Sequence, residues 1–185
     1  EKLIGEEVFV SRFLREARLA GTLSHPNIVS VFDAGREGAT YYYAMEFIEG
    51  ESVEDMLRRN DVVPELRALE ISSQIAAGLN HAAEKGLVHR DVKPGNILID
   101  KDNTAKLADL GLVRTVAHAS QETSLTKVGV VLGTPDYVSP EQANGEEDID
   151  SRSDVYSLGA TLYRMVTGRT PFSGKTKAAV ISKHM

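Results

Sequence analysis

Eight consecutive residues, His89-Arg90-Asp91-Val92-Lys93-Pro94-Gly95-Asn96, constrain this chain more than any other stretch of it. Two brief apolar runs follow at once, Ile97 to Ile99 and Ala105 to Leu107, separated by Asp100-Lys101-Asp102-Asn103. Runs that short around a polar turn read as a hairpin. Asp109-Leu110-Gly111 comes next, thirteen residues after Asn96. The polar groups of both motifs are therefore expected in loops braced by short strands.

These residue types suit one chemistry. Asp91 can accept the proton of a hydroxyl, which requires a carboxylate within hydrogen-bond reach of the attacking oxygen. Lys93, two residues on, can neutralise charge that builds on a transferred phosphoryl group. Asn96 and Asp109 offer oxygen ligands of the kind magnesium takes, since that hard ion keeps a few protein oxygens and leaves its other positions to phosphate and water.

The rest of the chain supplies a scaffold. Phe9, Val10, Phe13, Leu14, Ala17 and Ala20 give an amphipathic helical period from Glu6 to Leu23, with Glu16 near its middle and Gly21 near its end. After the turn His25-Pro26-Asn27, Ile28 to Phe32 and Tyr41 to Phe47 flank Gly35-Arg36-Glu37-Gly38 and read as a second hairpin. Val53 to Arg59 predicts a short helix. Pro64 to Glu84 predicts a long one, with Ala68, Ser72, Ile75, Leu79 and Ala82 on one face. Residues 112–138 have no period and carry several Ser, Thr and Gly residues, the texture of a long functional loop. Asp154 to Thr167 places Val155, Leu158, Leu162, Met165 and Val166 at helical spacing, with Ser153 as an available cap.

Composition excludes several alternatives. The chain has 42% hydrophobic and 26% charged residues, enough to bury a core. A net charge of −6 argues against a nucleic-acid or anionic-membrane surface. With no cysteine there are no disulfides or thiolate metal sites. No stretch has the length and apolarity of a membrane span.

The octet, Asp109-Leu110-Gly111, the run from Gly133-Thr134-Pro135 to Ser139-Pro140-Glu141, and Asp154-Val155-Tyr156-Ser157-Leu158-Gly159 resemble, in order and spacing, a eukaryotic-type (Hanks-type) serine/threonine protein kinase. Ser139-Pro140-Glu141-Gln142-Ala143 looks most like the bacterial members. The resemblance implies an α+β, two-lobed fold, with residues 1–49 as a partial N-lobe and 50–185 as most of a mainly helical C-lobe. It implies ATP and Mg2+ as cofactors and proteins bearing Ser or Thr as substrates. Asp91 becomes the catalytic base, with Lys93 beside it and Asn96 and Asp109 as metal ligands. Met45 is expected at the back of the nucleotide pocket. Backbone groups of Glu46 and Ile48 are expected to hydrogen-bond adenine, with the hinge at Glu46 to Gly50. Lys93 and Thr134 point to the serine/threonine branch.

Further roles follow from the same resemblance. Arg90 should pair with a phosphate on Thr123, Ser124 or Thr126, Thr126 being favoured, in a phosphorylation-activated loop. Leu110, where phenylalanine is usual, is expected to pack under His89. Asp154 should anchor the catalytic loop, whereas as a bare residue it is a charge suited to a helix N-terminus. Glu141 should face an arginine beyond Met185.

Glu16 should pair with a strand lysine, and neither Lys2 nor Gly5 supplies the lysine or the glycine-rich loop. The expectation is a kinase domain trimmed at both ends, with its last helices cut within Lys175 to Met185 and little activity of its own. Self-association through exposed apolar surface and trans-autophosphorylation are expected, as is a cytoplasmic location with any anchor lying elsewhere in the parent. The competing reading is a pseudokinase-like scaffold or binding module.

Overall fold

The computed structural model describes residues 19–38, 40–110, 134–146 and 148–185. An antiparallel ribbon comes first, β1 (Val31–Glu37) and β2 (Thr40–Met45), pairing from Val31↔Met45 to Glu37↔Thr40. A three-stranded antiparallel sheet has the order β3-β4-β5: β3 (Gly50–Ser52), β4 (Ile97–Asp100) and β5 (Ala105–Leu107). Around it lie α1 (Val53–Asn60), α2 (Glu65–Glu84), α3 (Pro140–Ala143), α4 (Ser151–Thr167) and α5 (Lys177–His184). Short 3-10 turns occupy Pro94–Asn96 and Pro135–Tyr137.

Local sequence accounts for the helix limits. Ser52 caps α1 through a capping box with Asp55, and acidic Glu54 and Asp55 open a helix that basic Arg58 and Arg59 close, as the helix dipole favours. The long helix α2 starts after Pro64 and stops at Lys85-Gly86, where Gly86 has φ 72°. It buries Ala68, Ile71, Ser72, Ile75, Gly78, Leu79 and Ala82, a stripe at three- and four-residue spacing.

That stripe faces the sheet and α4. In β4, Ile97 and Ile99 point inward and Leu98 and Asp100 less so, and Ala105 and Leu107 do the same in β5. Val53, Leu57, Ile71, Ile75, Leu79, Val92, Ile97, Leu107 and Met165 close one core. Each fully buried Ile or Leu there contributes about 2 kcal/mol. The exposed Arg58–Glu54 and Arg58–Asp55 pairs are screened by water and add little, so the core decides the fold.

A second join links the N-terminal segment to this sheet. Val29 N–H donates to the Leu107 carbonyl and Leu107 N–H to the Asn27 carbonyl, both at 2.9 Å, giving a parallel bridge at Ile28. The Asn27 side-chain amide also donates to the Ala105 carbonyl at 2.8 Å. Gly78 is what allows α2 so close: a Cβ there would lie 2.9 Å from the Asn27 carbonyl oxygen.

Three sequence expectations are corrected. The first hairpin strand is Val31–Glu37, later than Ile28 to Phe32, because Ile28 and Val29 are buried against β5. In α4 the cap is Asp150, whose carboxylate accepts from Arg152 N–H, and Ser153 lies buried inside the helix. The buried face of α4 is Ser153, Asp154, Ser157, Ala160, Thr161 and Met165, while Val155 is 67% exposed, because this helix docks a polar face on the octet loop and the Ser139 segment. Within Lys175 to Met185, residues 177–184 form α5, capped by Thr176.

Candidate active site

The octet loop is held in shape by its own backbone and by α4. Arg90 adopts φ 67°, a left-handed conformation that a non-glycine residue takes only at some cost. Asp154, 2% exposed, accepts the N–H groups of His89 (2.8 Å) and Arg90 (2.7 Å), one on each carboxylate oxygen. Burial pushes the Asp154 carboxyl up from its ordinary range, while the His89 ring and the two amides pull the other way.

His89 is fully buried and its tautomer follows from its partners. Nε2 lies 2.9 Å from the Ala108 carbonyl, which can only accept, so Nε2 carries the proton. Nδ1 accepts the N–H of Asp91 at 3.2 Å. The imidazole thus ties the octet to the residue immediately before Asp109.

Asp91 sits at the centre of the polar groups. Lys93 Nζ donates to its Oδ2 at 2.6 Å, and Asn96 Nδ2 donates to the same oxygen at 3.0 Å and to the Asp91 carbonyl at 2.8 Å. Asn96 is buried, and with Nδ2 spent on Asp91 its side-chain oxygen is what it has left for a ligand. The Asn96 carbonyl accepts the N–H of Ala108 at 2.8 Å, which brings Asp109 alongside. Asp109 is exposed, with φ 59°. A buried amide oxygen and an exposed carboxylate are hard donors that fit magnesium, which leaves most of its positions to water and phosphate.

The remaining expected residues fall as follows. Leu110 is buried with Ala20, Leu23, Ile28 and Ala82, a cluster beside the end of α2. Met45 ends β2 and is 44% exposed. Glu46 N–H already donates to the Ser30 carbonyl at 2.8 Å, so its backbone offers a ligand only its carbonyl. The backbone of half-buried Ile48 has no partner among the described residues. The Arg90 side chain is exposed and forms no salt bridge among the described residues. Thr134 is exposed at the start of the Pro135–Tyr137 turn. Glu141 accepts a short hydrogen bond from the Ser153 hydroxyl. Lys2, Gly5, Glu16, Thr123, Ser124 and Thr126 lie outside the described residues.

Three groups at the site were not anticipated. Gln142 donates to the Arg90 carbonyl at 3.0 Å, so α3 holds the octet loop from a second side. Lys106 in β5 donates to Glu46 Oε1 at 2.7 Å, while Glu46 Oε2 accepts Ser30 N–H at 3.2 Å. That lysine bond is the main cause of a Glu46 carboxyl held below its usual range. Tyr43 in β2 has its phenol pushed up by burial and further by the Asp109 carboxylate. Gln142 carried a local signal, since Ser139 and Gln142 have capping-box spacing. Lys106 and Tyr43 become site residues only through pairing across the fold.

Known proteins decide the family. Residues 3–185 match the protein kinase domain model. The chain belongs to the protein kinase domain family. This kinase domain is 42% identical over 181 residues to the serine/threonine-protein kinase PknB of Mycolicibacterium smegmatis, and 41% identical over 177 residues to PrkC of Bacillus subtilis. Each match covers 96% of the chain but only 28% and 26% of the relative, so the chain spans just over a quarter of their length. A crystal structure of Rad53 residues 1–466 in complex with AMP-PNP is similar at TM-score 0.75 and 32% identity, covering 92% of this chain and 41% of that one. The kinase domain thus has the α+β fold that its motifs imply.

Proposed function

We propose that this chain is the catalytic region of an ATP-dependent protein serine/threonine kinase, with Asp91 as the base. The observation that carries the reading is the convergence on one carboxylate oxygen of Lys93 Nζ and Asn96 Nδ2, with Asp109 held alongside through the Ala108–Asn96 hydrogen bond. In the proposed reaction the substrate hydroxyl oxygen bonds to the γ-phosphorus as the bond to the β,γ-bridging oxygen breaks. The hydroxyl proton passes to Asp91 and ADP leaves. Asp91 orients the attacking oxygen, and Lys93 offsets charge on the transferred group. Asn96 and Asp109 would hold magnesium, which neutralises phosphate charge. Glu46 through its carbonyl and Ile48 through its backbone would take adenine, with Met45 beside them.

Regulation by phosphorylation of Thr123, Ser124 or Thr126 belongs to the same proposal, supported by the exposed Arg90 guanidinium, which forms no salt bridge among the described residues. So do protein substrates, self-association and a cytoplasmic location. Among the described residues no helix is long and apolar enough to cross a membrane.

The test uses the full-length protein with magnesium and labelled ATP, comparing wild type with Asp91→Asn on a serine peptide. Wild type should transfer phosphate, and the variant should be at least ~100-fold slower. A silent wild type, or an Asp91→Asn protein of equal rate, removes the kinase reading.

A further inference from the structure

A cavity of about 690 Å³ opens beside Lys93, bounded by the octet loop, the turn after Thr134, α1 and the end of α4 with the segment that follows it. Its charged walls are Arg58, Lys93, Arg164 and Arg169 against Glu54 and Asp136. In a chain of net charge −6, this excess of positive charge is local. Two of the four cations are already matched: Lys93 meets Asp91 at 2.6 Å, and Arg58 meets Asp55 at 3.1 Å and Glu54 at 3.8 Å. Arg164 and Arg169 form no ion pair with a carboxylate among the described residues. Arg164 is half-buried and lies beside the Tyr137 phenol, while Arg169 is exposed. Among the described residues Asp136 is the cavity carboxylate outside an ion pair, so two guanidinium groups without a carboxylate partner, one of them also bonded to the Tyr137 phenol, face a single acid.

The cavity's inner wall is Lys93, whose ammonium touches the proposed base. Because Lys93 Nζ lies 2.6 Å from Asp91 Oδ2, a chain that brings a hydroxyl to Asp91 can lay its neighbouring residues across this opening. An extended peptide advances ~3.3 Å per residue, so residues about one to three positions from the acceptor reach it. Guanidinium groups with unfilled donors match a carboxylate bidentately, and a basic side chain there would face like charge.

We propose that this cavity is a substrate-selecting pocket that takes an Asp or Glu side chain next to the phosphate-accepting serine or threonine, with Arg164 and Arg169 as its recognition groups. The proposal rests on the kinase reading for the identity of the peptide. Gly95 lines the opening and leaves that wall bare, since even a Cβ there would meet nothing within 4 Å.

The test compares serine peptides that are identical except for Asp, Ala or Arg at the three positions on either side of the acceptor. Full-length protein is assayed for kcat/KM and, separately, for peptide affinity by fluorescence anisotropy, which needs no phosphate transfer. Asp peptides should exceed Arg peptides at least tenfold in both measurements. Arg164→Glu should lower that ratio at least tenfold. Gly95→Glu, which changes no arginine and enters open space, should lower it too and serves if Arg164→Glu does not fold. Equal or reversed wild-type preference, or a ratio untouched by these variants, overturns the proposal. If no peptide is phosphorylated, the kinase reading fails while the anisotropy ratios still decide the pocket.

Discussion

The side-chain amide of Gln142 donates to the backbone carbonyl of Arg90, 3.0 Å away and 52 residues earlier in the chain. The N–H of that same residue goes to Asp154 at 2.7 Å, so Arg90 is gripped on both sides of its backbone. The grip explains how a non-glycine residue holds φ 67° beside the Asp91 carboxylate. A left-handed residue persists only where its surroundings over-determine it.

Gln142→Glu should destabilise the protein by about 1–3 kcal/mol. The glutamate still accepts the Ser139 N–H, as Gln142 does at 3.2 Å, but it turns an acceptor toward the Arg90 carbonyl in a site only 6% exposed. Urea denaturation reads the difference, and an unchanged midpoint would show that the contact contributes nothing.

Asp154→Ala should cost about 2–5 kcal/mol, since two buried amides lose their acceptor together. Asp154→Asn should also be impaired, because its NH2 must face one of those N–H donors. Thermal and urea unfolding of the three proteins should rank wild type above both variants. Equal stability of Asp154→Ala would refute the anchoring role.

Lys106→Met should raise the Glu46 carboxyl toward its ordinary value of 4.5, because the lysine bond is the largest cause of its depression. A depressed carboxylate contributes stability that is fully present above its unfolded-state value and fades as pH falls through the folded one. The gap in stability between wild type and Lys106→Met should therefore be about 1–2 kcal/mol at neutral pH and shrink below about pH 4.5. Carboxyl NMR titration and urea melts across pH check both halves, and a gap independent of pH would contradict them.

Gly50→Ala should cost about 1–3 kcal/mol. Gly50 pairs with Asp100 where the chain enters β3, and a Cβ there would run into the Ile99 carbonyl oxygen. Adjustment must come from the β3–β4 pair itself. A variant as stable as wild type would mean that the two strands separate there without penalty.

The helices after β3 were legible because their signals are local. Pro64 and the three- and four-residue spacing of Ala68, Ser72 and Ile75 place α2 within a residue of its observed limits, and Val53 to Arg59 falls one residue short of α1. The hairpin at residue 97 was equally plain, its two apolar runs being bounded by polar turns. Residues whose apolar surface serves a distant partner misled: Ile28 looks like a hairpin residue but pairs with Leu107, and Gly35 sits inside a strand because the Tyr42 ring covers it. In α4 periodicity chose Val155, whereas Asp154, Ser153 and Ser157 are buried to satisfy groups on other segments. Lys106 and Glu46 are 60 residues apart and carry no pattern that marks them as partners.

The strand that leads to Asp109 is bonded on both sides of the β1–β2 ribbon's attachment. Leu107 receives the chain on its way in, at Asn27 and Val29, and Lys106 meets it on its way out, at Glu46. Ser30 and Glu46 close the gap between those points with a 2.8 Å hydrogen bond. Among the described residues the hydrogen bonds that join the ribbon to the sheet therefore lie along one short line beside β5. A rotation about that line would move the Glu37–Thr40 end of the ribbon most and Asp109, two residues past Leu107, least.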